Sequence, residues 1–155
     1  MKINRKTLLL CLALPLAVSG LAALLSGGMS DYQVMNQPPL SPPGWIFPVV
    51  WSILYLLMGY ASYRVLVSGA ERTDIRRAWV FYGIQLFLNF LWPVVFFGLG
   101  WYWAAFILLL ALWVMIYLTM HLFGLIDDTA ENLLIPYLLW VTFAGYLNLG
   151  VALLN

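Results

Sequence analysis

The sequence predicts an all-α integral membrane protein, a bundle of five transmembrane helices with a proline-rich loop between the first and second. Three observations predict it. Of its 155 residues, 65% are hydrophobic and only 8% are charged, against about 25% charged in an ordinary soluble domain, and the mean hydropathy is +0.95. Runs without Asp, Glu, Lys or Arg extend from Thr7 to Ser30, Tyr32 to Tyr63, Ala78 to Ile126 and Asn132 to Asn155, where a span needs about 20 apolar residues. The third run is long enough for two spans and divides at Gly98-Leu99-Gly100, because glycines tolerate a tight turn and weaken a helix interior. The spans are expected near residues 7–26, 45–67, 77–97, 101–123 and 132–153 of a single membrane domain, 1–155.

The first span follows Lys2, Arg5 and Lys6, a pattern shared with the basic start of a signal peptide. Its apolar stretch continues to Leu25, longer than the usual 7–15-residue signal core. The pairs Ala13/Ala17, Ser19/Ala23 and Ala22/Ser26 at i,i+4 would let a neighbouring helix approach closely. A retained helix accounts for both. Between spans 1 and 2, Gln37-Pro38-Pro39-Leu40-Ser41-Pro42-Pro43-Gly44 places four prolines within six residues. Proline donates no backbone hydrogen bond and favours extended geometry, so this segment is a stiff strap, either a lid or a rigid connector. Trp45, Trp101 and Trp103 fall near expected helix ends, where an aromatic belt forms. Arg64, Arg72, Arg76 and Arg77 flank the connection between spans 2 and 3, and no Lys or Arg lies between spans 1 and 2. The positive-inside rule therefore places the amino terminus in the cytoplasm. Before span 5, Asp128 and Glu131 have capping-box spacing, so Asp127 and Asp128 are read as helix caps.

Helical spacing sorts the polar and aromatic residues inside the spans, because positions three, four and seven apart share a face. Trp51, Tyr55, Met58 and Ser62 share one face of span 2. Gln85, Asn89 and Trp92 share one of span 3, and Tyr137, Trp140, Ala144 and Asn148 one of span 5. Each stripe mixes large rings with uncharged hydrogen-bonding groups, which suits a flat, mostly apolar ligand. The same residues also suit simple interhelical packing. One His and one Cys make no conventional metal site; His121 reads as interfacial and Cys11 as a small apolar residue. No charged residue lies deep in a span, which argues against an ion-coupled pump or an acid–base hydrolase. There is no nucleotide loop and no basic stripe for nucleic acid.

The order Pro42-Pro43-Gly44-Trp45-Ile46-Phe47-Pro48-Val49-Val50-Trp51, Leu54-Tyr55, Met58-Gly59, Gln85-Leu86-x-Leu88-Asn89-x-x-Trp92, Phe96-Phe97 and Pro136-Tyr137-x-x-Trp140-x-x-Phe143-Ala144-x-x-Leu147-Asn148 resembles the TspO/MBR family of tryptophan-rich sensory and mitochondrial translocator (peripheral benzodiazepine receptor) proteins. The resemblance runs through nearly the whole chain. It implies a five-helix bundle, a homodimer, and a pocket closed by the strap. It also implies binding of porphyrins such as protoporphyrin IX or other haem-type tetrapyrroles, with sterols and synthetic isoquinoline-carboxamide or benzodiazepine ligands in some members, and no obligatory cofactor. By the same resemblance, Trp51 and Trp140 match pocket tryptophans linked in bacterial relatives to light- and oxygen-dependent porphyrin degradation. Asn89 and Ala144 match pocket-lining positions, and Pro42, Pro43 and Trp45 match the loop and its junction with span 2.

The chain departs from the family pattern at three places. Gln37 stands where Lys or Arg often precedes the first proline. Tyr146 is followed by Leu147-Asn148-Leu149-Gly150 with no basic residue, so the sterol-recognition pattern is incomplete. Trp79 stands four residues before Gly83, reducing a small-residue dimer motif. Three function classes follow: a sensory or transport-like tetrapyrrole-binding protein, an enzyme degrading protoporphyrin IX with light and oxygen, and a membrane scaffold acting through partner proteins. A short chain without an added targeting segment leans towards a bacterial cell-envelope membrane.

Overall fold

A computed structural model describes residues 3–27, 32 and 34–155; Lys2 of the basic amino-terminal group lies outside them, as does part of the loop between the first two spans. Among the described residues the secondary structure is helical, and five stretches are long and apolar enough to cross a membrane: Arg5–Ser26, Ile46–Leu66, Arg72–Gly98, Tyr102–Gly124 and Asp128–Leu154. The protein is an integral, multi-pass, all-α membrane protein.

Helix α1 (Arg5–Ser26) starts at Asn4, whose side chain accepts from the Thr7 amide, and ends at Gly27 in the left-handed region, φ +78°. Pro15 lies inside it. Lacking an N–H, Pro15 cannot bond the Cys11 carbonyl one turn back, and Gly59 of α2 (Ile46–Leu66) backs onto that same carbonyl. A Cβ at position 59 would stand 2.7 Å from the Cys11 oxygen and 3.0 Å from Leu12 Cα. The close α1–α2 approach therefore comes from a proline on one helix and a glycine on the other.

Helix α3 (Arg72–Pro93) begins five residues before the expected 77, because Arg72, Asp74, Arg76 and Arg77 make a solvated first turn and a half that hydropathy alone does not count. Pro93 then interrupts the ladder and the chain continues as a π-helical turn, Val94–Gly98, a geometry that arises where one hydrogen bond is displaced. Gly98-Leu99-Gly100 forms the expected break, with Gly100 at φ +68°, before α4 (Tyr102–Gly124). The last span is two helices rather than one: α5 (Asp128–Leu133) and α6 (Ile135–Leu154), separated at Leu134 where Pro136 in the first turn of α6 denies the preceding turn a donor. The cap of α5 is Asp127, which accepts from the Thr129 and Ala130 amides at 2.8 and 3.2 Å. Asp127 is thus the cap, as expected, whereas Asp128 is the first helical residue and forms no capping box with Glu131 among the described hydrogen bonds.

Asp127 also holds Arg64 of α2, with Nε 3.0 Å and Nη2 3.5 Å from its two oxygens, so one carboxylate both starts α5 and ties it to α2. An ion pair at this partly exposed end contributes at most about 1 kcal/mol, and a lost cap costs about 1 kcal/mol more. Asp127→Asn, which keeps a capping oxygen, is expected to lower detergent-phase stability by less than about 1 kcal/mol, and Asp127→Ala by about 1–2 kcal/mol. Thermal unfolding of both variants checks the order.

The spans form a ring in which α1 packs on α2 and α3, α3 on α4, and α4 on α6, with α5 set between α2 and α4. The most solid packing lies towards the Arg64–Asp127 end, where Met58, Ala61, Val65, Ala78, Ile116 and Phe123 are fully or almost fully buried. The half nearer the strap is hollow.

Candidate functional site

The hollow is a cavity of about 260 Å³ between α1, α2, α3, the π-helical turn and α6, and no described residue lining it is charged. Helical period brings Trp51 and Tyr55 to it from α2, Asn89 and Trp92 from α3, and Trp140, Ala144 and Asn148 from α6. The three expected stripes thus converge. Trp51 stacks on Tyr55, ring centroids 5.5 Å apart and planes 24° from parallel.

The amides are fixed differently. Tyr55 donates to Asn89 Oδ1 at 2.8 Å, Asn89 Nδ2 donates to the Tyr137 hydroxyl at 2.7 Å, and that hydroxyl donates to Gln85 Oε1 at 2.7 Å. This chain joins α2, α3 and α6 and sets the orientation of the Asn89 carboxamide. Gln85 and Tyr137, each 1% exposed, stand behind it and do not line the cavity. Asn148 accepts from Trp92 Nε1 at 2.9 Å and donates to the Tyr102 carbonyl at 3.0 Å, so its amide ties α6 to α3 and to the start of α4. Among the described residues each amide keeps one N–H and one lone pair uncommitted, and Asn89, 5% exposed against 1% for Asn148, is the better placed of the two to meet a guest.

The strap closes the cavity with residues other than those expected. Tyr32 and Ser41 line it, with Phe47 and Pro48 of the first turn of α2, whereas Pro42, Pro43 and Trp45 do not, and Trp45 is 69% exposed. The Pro42 carbonyl contributes indirectly by accepting from Tyr32 Oη at 2.6 Å. Burial pushes the Tyr32 phenol above its ordinary value, against a smaller opposite effect of Ser41, so it remains a protonated donor at neutral pH. The strap is fastened to α6. Tyr146 Oη donates to the Pro39 carbonyl at 2.6 Å, Asn36 and Asn155 exchange hydrogen bonds, and Pro38 sits where a side chain at Gly150 would stand.

Sequence reasoning missed the α1 wall. Ser19, Ala22, Ala23 and Ser26 line the cavity, although the Ser19/Ala23 and Ala22/Ser26 spacing was itself visible. Small residues at i,i+4 mark a face where something comes close: the Ser26 backbone meets Gly98 of the π-helical turn, and the four residues also border the open volume. Phe96 was missed although it continues the stripe, four residues after Trp92 and seven after Asn89, and stacks on Trp92 at 5.0 Å; Phe97 lies one position off that stripe, in the π-helical turn.

Residues 8–154 match the model of the TspO/MBR family. The chain belongs to that family. Its similarity extends to tryptophan-rich protein TspO of Chlorobaculum tepidum, 38% identical over 96% of both chains. Tryptophan-rich sensory protein of Cereibacter sphaeroides is 38% identical over 80% of this chain and 76% of that one. Translocator protein of Bos taurus is 36% identical over 78% of this chain and 72% of that one. In TspO/MBR terms, the tryptophans that give two of these relatives their names have here a clear division of place: Trp51, Trp92 and Trp140 at the cavity, Trp45, Trp101 and Trp103 exposed near span ends.

Proposed function

We propose that the cavity binds flat, largely apolar tetrapyrroles, with protoporphyrin IX as the reference ligand, and that binding serves a sensory or translocating role in tetrapyrrole metabolism. The observation that carries this reading is the meeting, in an uncharged space at membrane depth, of three indoles from three helices with one amide held in orientation by a hydrogen-bonded chain. Ring faces supply stacking and the Asn89 amide supplies direction. At about 260 Å³ the closed cavity lies just below the roughly 300–1,000 Å³ of typical ligand sites. A compact isoquinoline-carboxamide or benzodiazepine fits that scale, whereas a porphyrin macrocycle requires the walls to yield. The working unit is a homodimer with the amino terminus in the cytoplasm, a reading supported by family membership and by the segregation of Lys and Arg.

The test is a dark titration of detergent-solubilised protein with protoporphyrin IX, read by tryptophan quenching and the Soret shift. Saturable binding is expected, weakened about fivefold or more, equivalent to about 1 kcal/mol, in Trp51→Phe, Trp140→Phe and Asn89→Leu. Equal, non-saturating uptake by all four proteins would favour the scaffold reading. The enzyme reading draws on the placement of Trp51 and Trp140 on α2 and α6 walls of one cavity; it requires a defined tetrapyrrole product and many turnovers per protein under illumination in oxygen, where self-bleaching gives neither.

A further inference from the structure

One seam of the helix ring differs from the rest. Of the adjacent helices in the ring, α2 and α6 meet most sparsely, and the gap is closed by rings: Phe47 against Trp140, centroids 5.9 Å apart, and Trp51 against Tyr137, 6.1 Å apart. On the lipid side of this seam runs a groove with Val50, Ile53 and Leu57 on one bank and Pro136, Leu139 and Phe143 on the other. Ile53 lies seven residues into α2, about 10 Å along its axis, so the groove opens into the hydrocarbon. Trp140 lines both the groove and the cavity. Among the described residues it is the one common to both linings.

The Trp140 indole is held by ring packing alone, against Phe47 and Phe143. The Tyr137 hydroxyl is held by two hydrogen bonds and Trp51 is stacked on Tyr55, whereas buried Trp140 Nε1 has no partner among the described residues. A rotamer change of Trp140 breaks no hydrogen bond. The strap end, by contrast, is fastened through Pro38, Pro39 and Asn36.

We propose that the α2–α6 seam is a lateral portal through which flat apolar molecules dissolved in the bilayer core enter and leave the cavity, with the Trp140 side chain as its door. The nature of the natural cargo rests on the function proposed above; the existence of the portal does not. It is tested without porphyrin, by placing a thiol on the cavity wall with Ala144→Cys in a Cys11→Ala background and following its alkylation by N-(1-pyrenyl)maleimide dissolved in lipid nanodiscs, scored by intact mass. Groove filling is supplied by Ile53→Trp and, separately, Leu139→Trp, positions 52% and 64% exposed and outside the cavity lining, so that one bank still reads out should the other variant fail to fold. Alkylation is expected to slow about tenfold in each filled variant, to quicken in Trp140→Gly, and to keep the parent rate in Gly150→Leu, which unseats Pro38 from the strap's anchorage. Unchanged rates in both filled variants, or acceleration confined to Gly150→Leu, would overturn the portal and assign entry to the strap. Loss of saturable porphyrin binding in the parent would instead remove the proposed function and leave these rates as they are.

Discussion

Gly59→Leu is expected to lower stability by about 3 kcal/mol or more, the upper range for forcing bulk into a packed interface, and to part α1 from α2. The contact to be displaced is backbone, the Cys11 carbonyl and Leu12 Cα, and backbone cannot swing aside as a side chain can. In hydrocarbon the helices have no hydrophobic drive to regain contact elsewhere, so close approach is itself a large part of what holds them. Thermal unfolding in detergent measures the loss. Pro15 decides whether the explanation is right. If Gly59 exists to receive the carbonyl that Pro15 frees, Gly59→Ala is expected to cost about 1–3 kcal/mol in the parent and clearly less in a Pro15→Ala background, where the carbonyl can return to its own helix. Strict additivity of the two changes would refute that link.

The same pair marks how far the sequence could be read. Charge-free length located all five spans, since an unpaired charge in hydrocarbon is too costly to occur by chance, and period 3.6 brought the right faces of α2, α3 and α6 together. Boundaries failed where charged residues are helical outside the hydrocarbon, as at Arg72–Arg77, and where proline divides one hydropathy peak into α5 and α6. Pro15 and Gly59 were both plain to see, but their partnership depends on a contact between helices 44 positions apart. The strap was legible as stiff and not as to which side chains point inward: its prolines shape the path, while Tyr32 and Ser41 meet the cavity. Period placed Gln85 and Asn89 on one face of span 3, yet only the position of Tyr137 separates the cavity-lining amide from the one behind it.

That separation gives the second large effect. Tyr137→Phe is expected to cost about 2 kcal/mol, because it strips Asn89 Nδ2 and Gln85 Oε1 of their partner at once, at about 1–3 kcal/mol for each buried group left unpaired, moderated by the weak net value of hydrogen bonds between membrane helices. Gln85 Nε2 is already without a partner among the described residues, so the variant leaves that carboxamide with none of them to bond. Gln85→Leu removes the difficult group instead of stranding it and is expected to cost less, and Gln85→Leu with Tyr137→Phe less than the two single changes summed; a thermodynamic cycle in detergent checks the sign. Tyr137 does not line the cavity, and Tyr137→Phe keeps the ring that packs against Trp51, so the expected influence of the hydroxyl on binding passes through Asn89. With the Tyr137 hydroxyl gone, the Asn89 amide keeps only Tyr55 as an anchor and can rotate, and protoporphyrin IX affinity is expected to fall about as far as in Asn89→Leu, while Gln85→Leu, which leaves the Tyr137–Asn89 bond in place, is expected to bind close to the parent. Equal affinity losses in Tyr137→Phe and Gln85→Leu would mean that the chain acts through general packing and that orientation of Asn89 plays no part in binding.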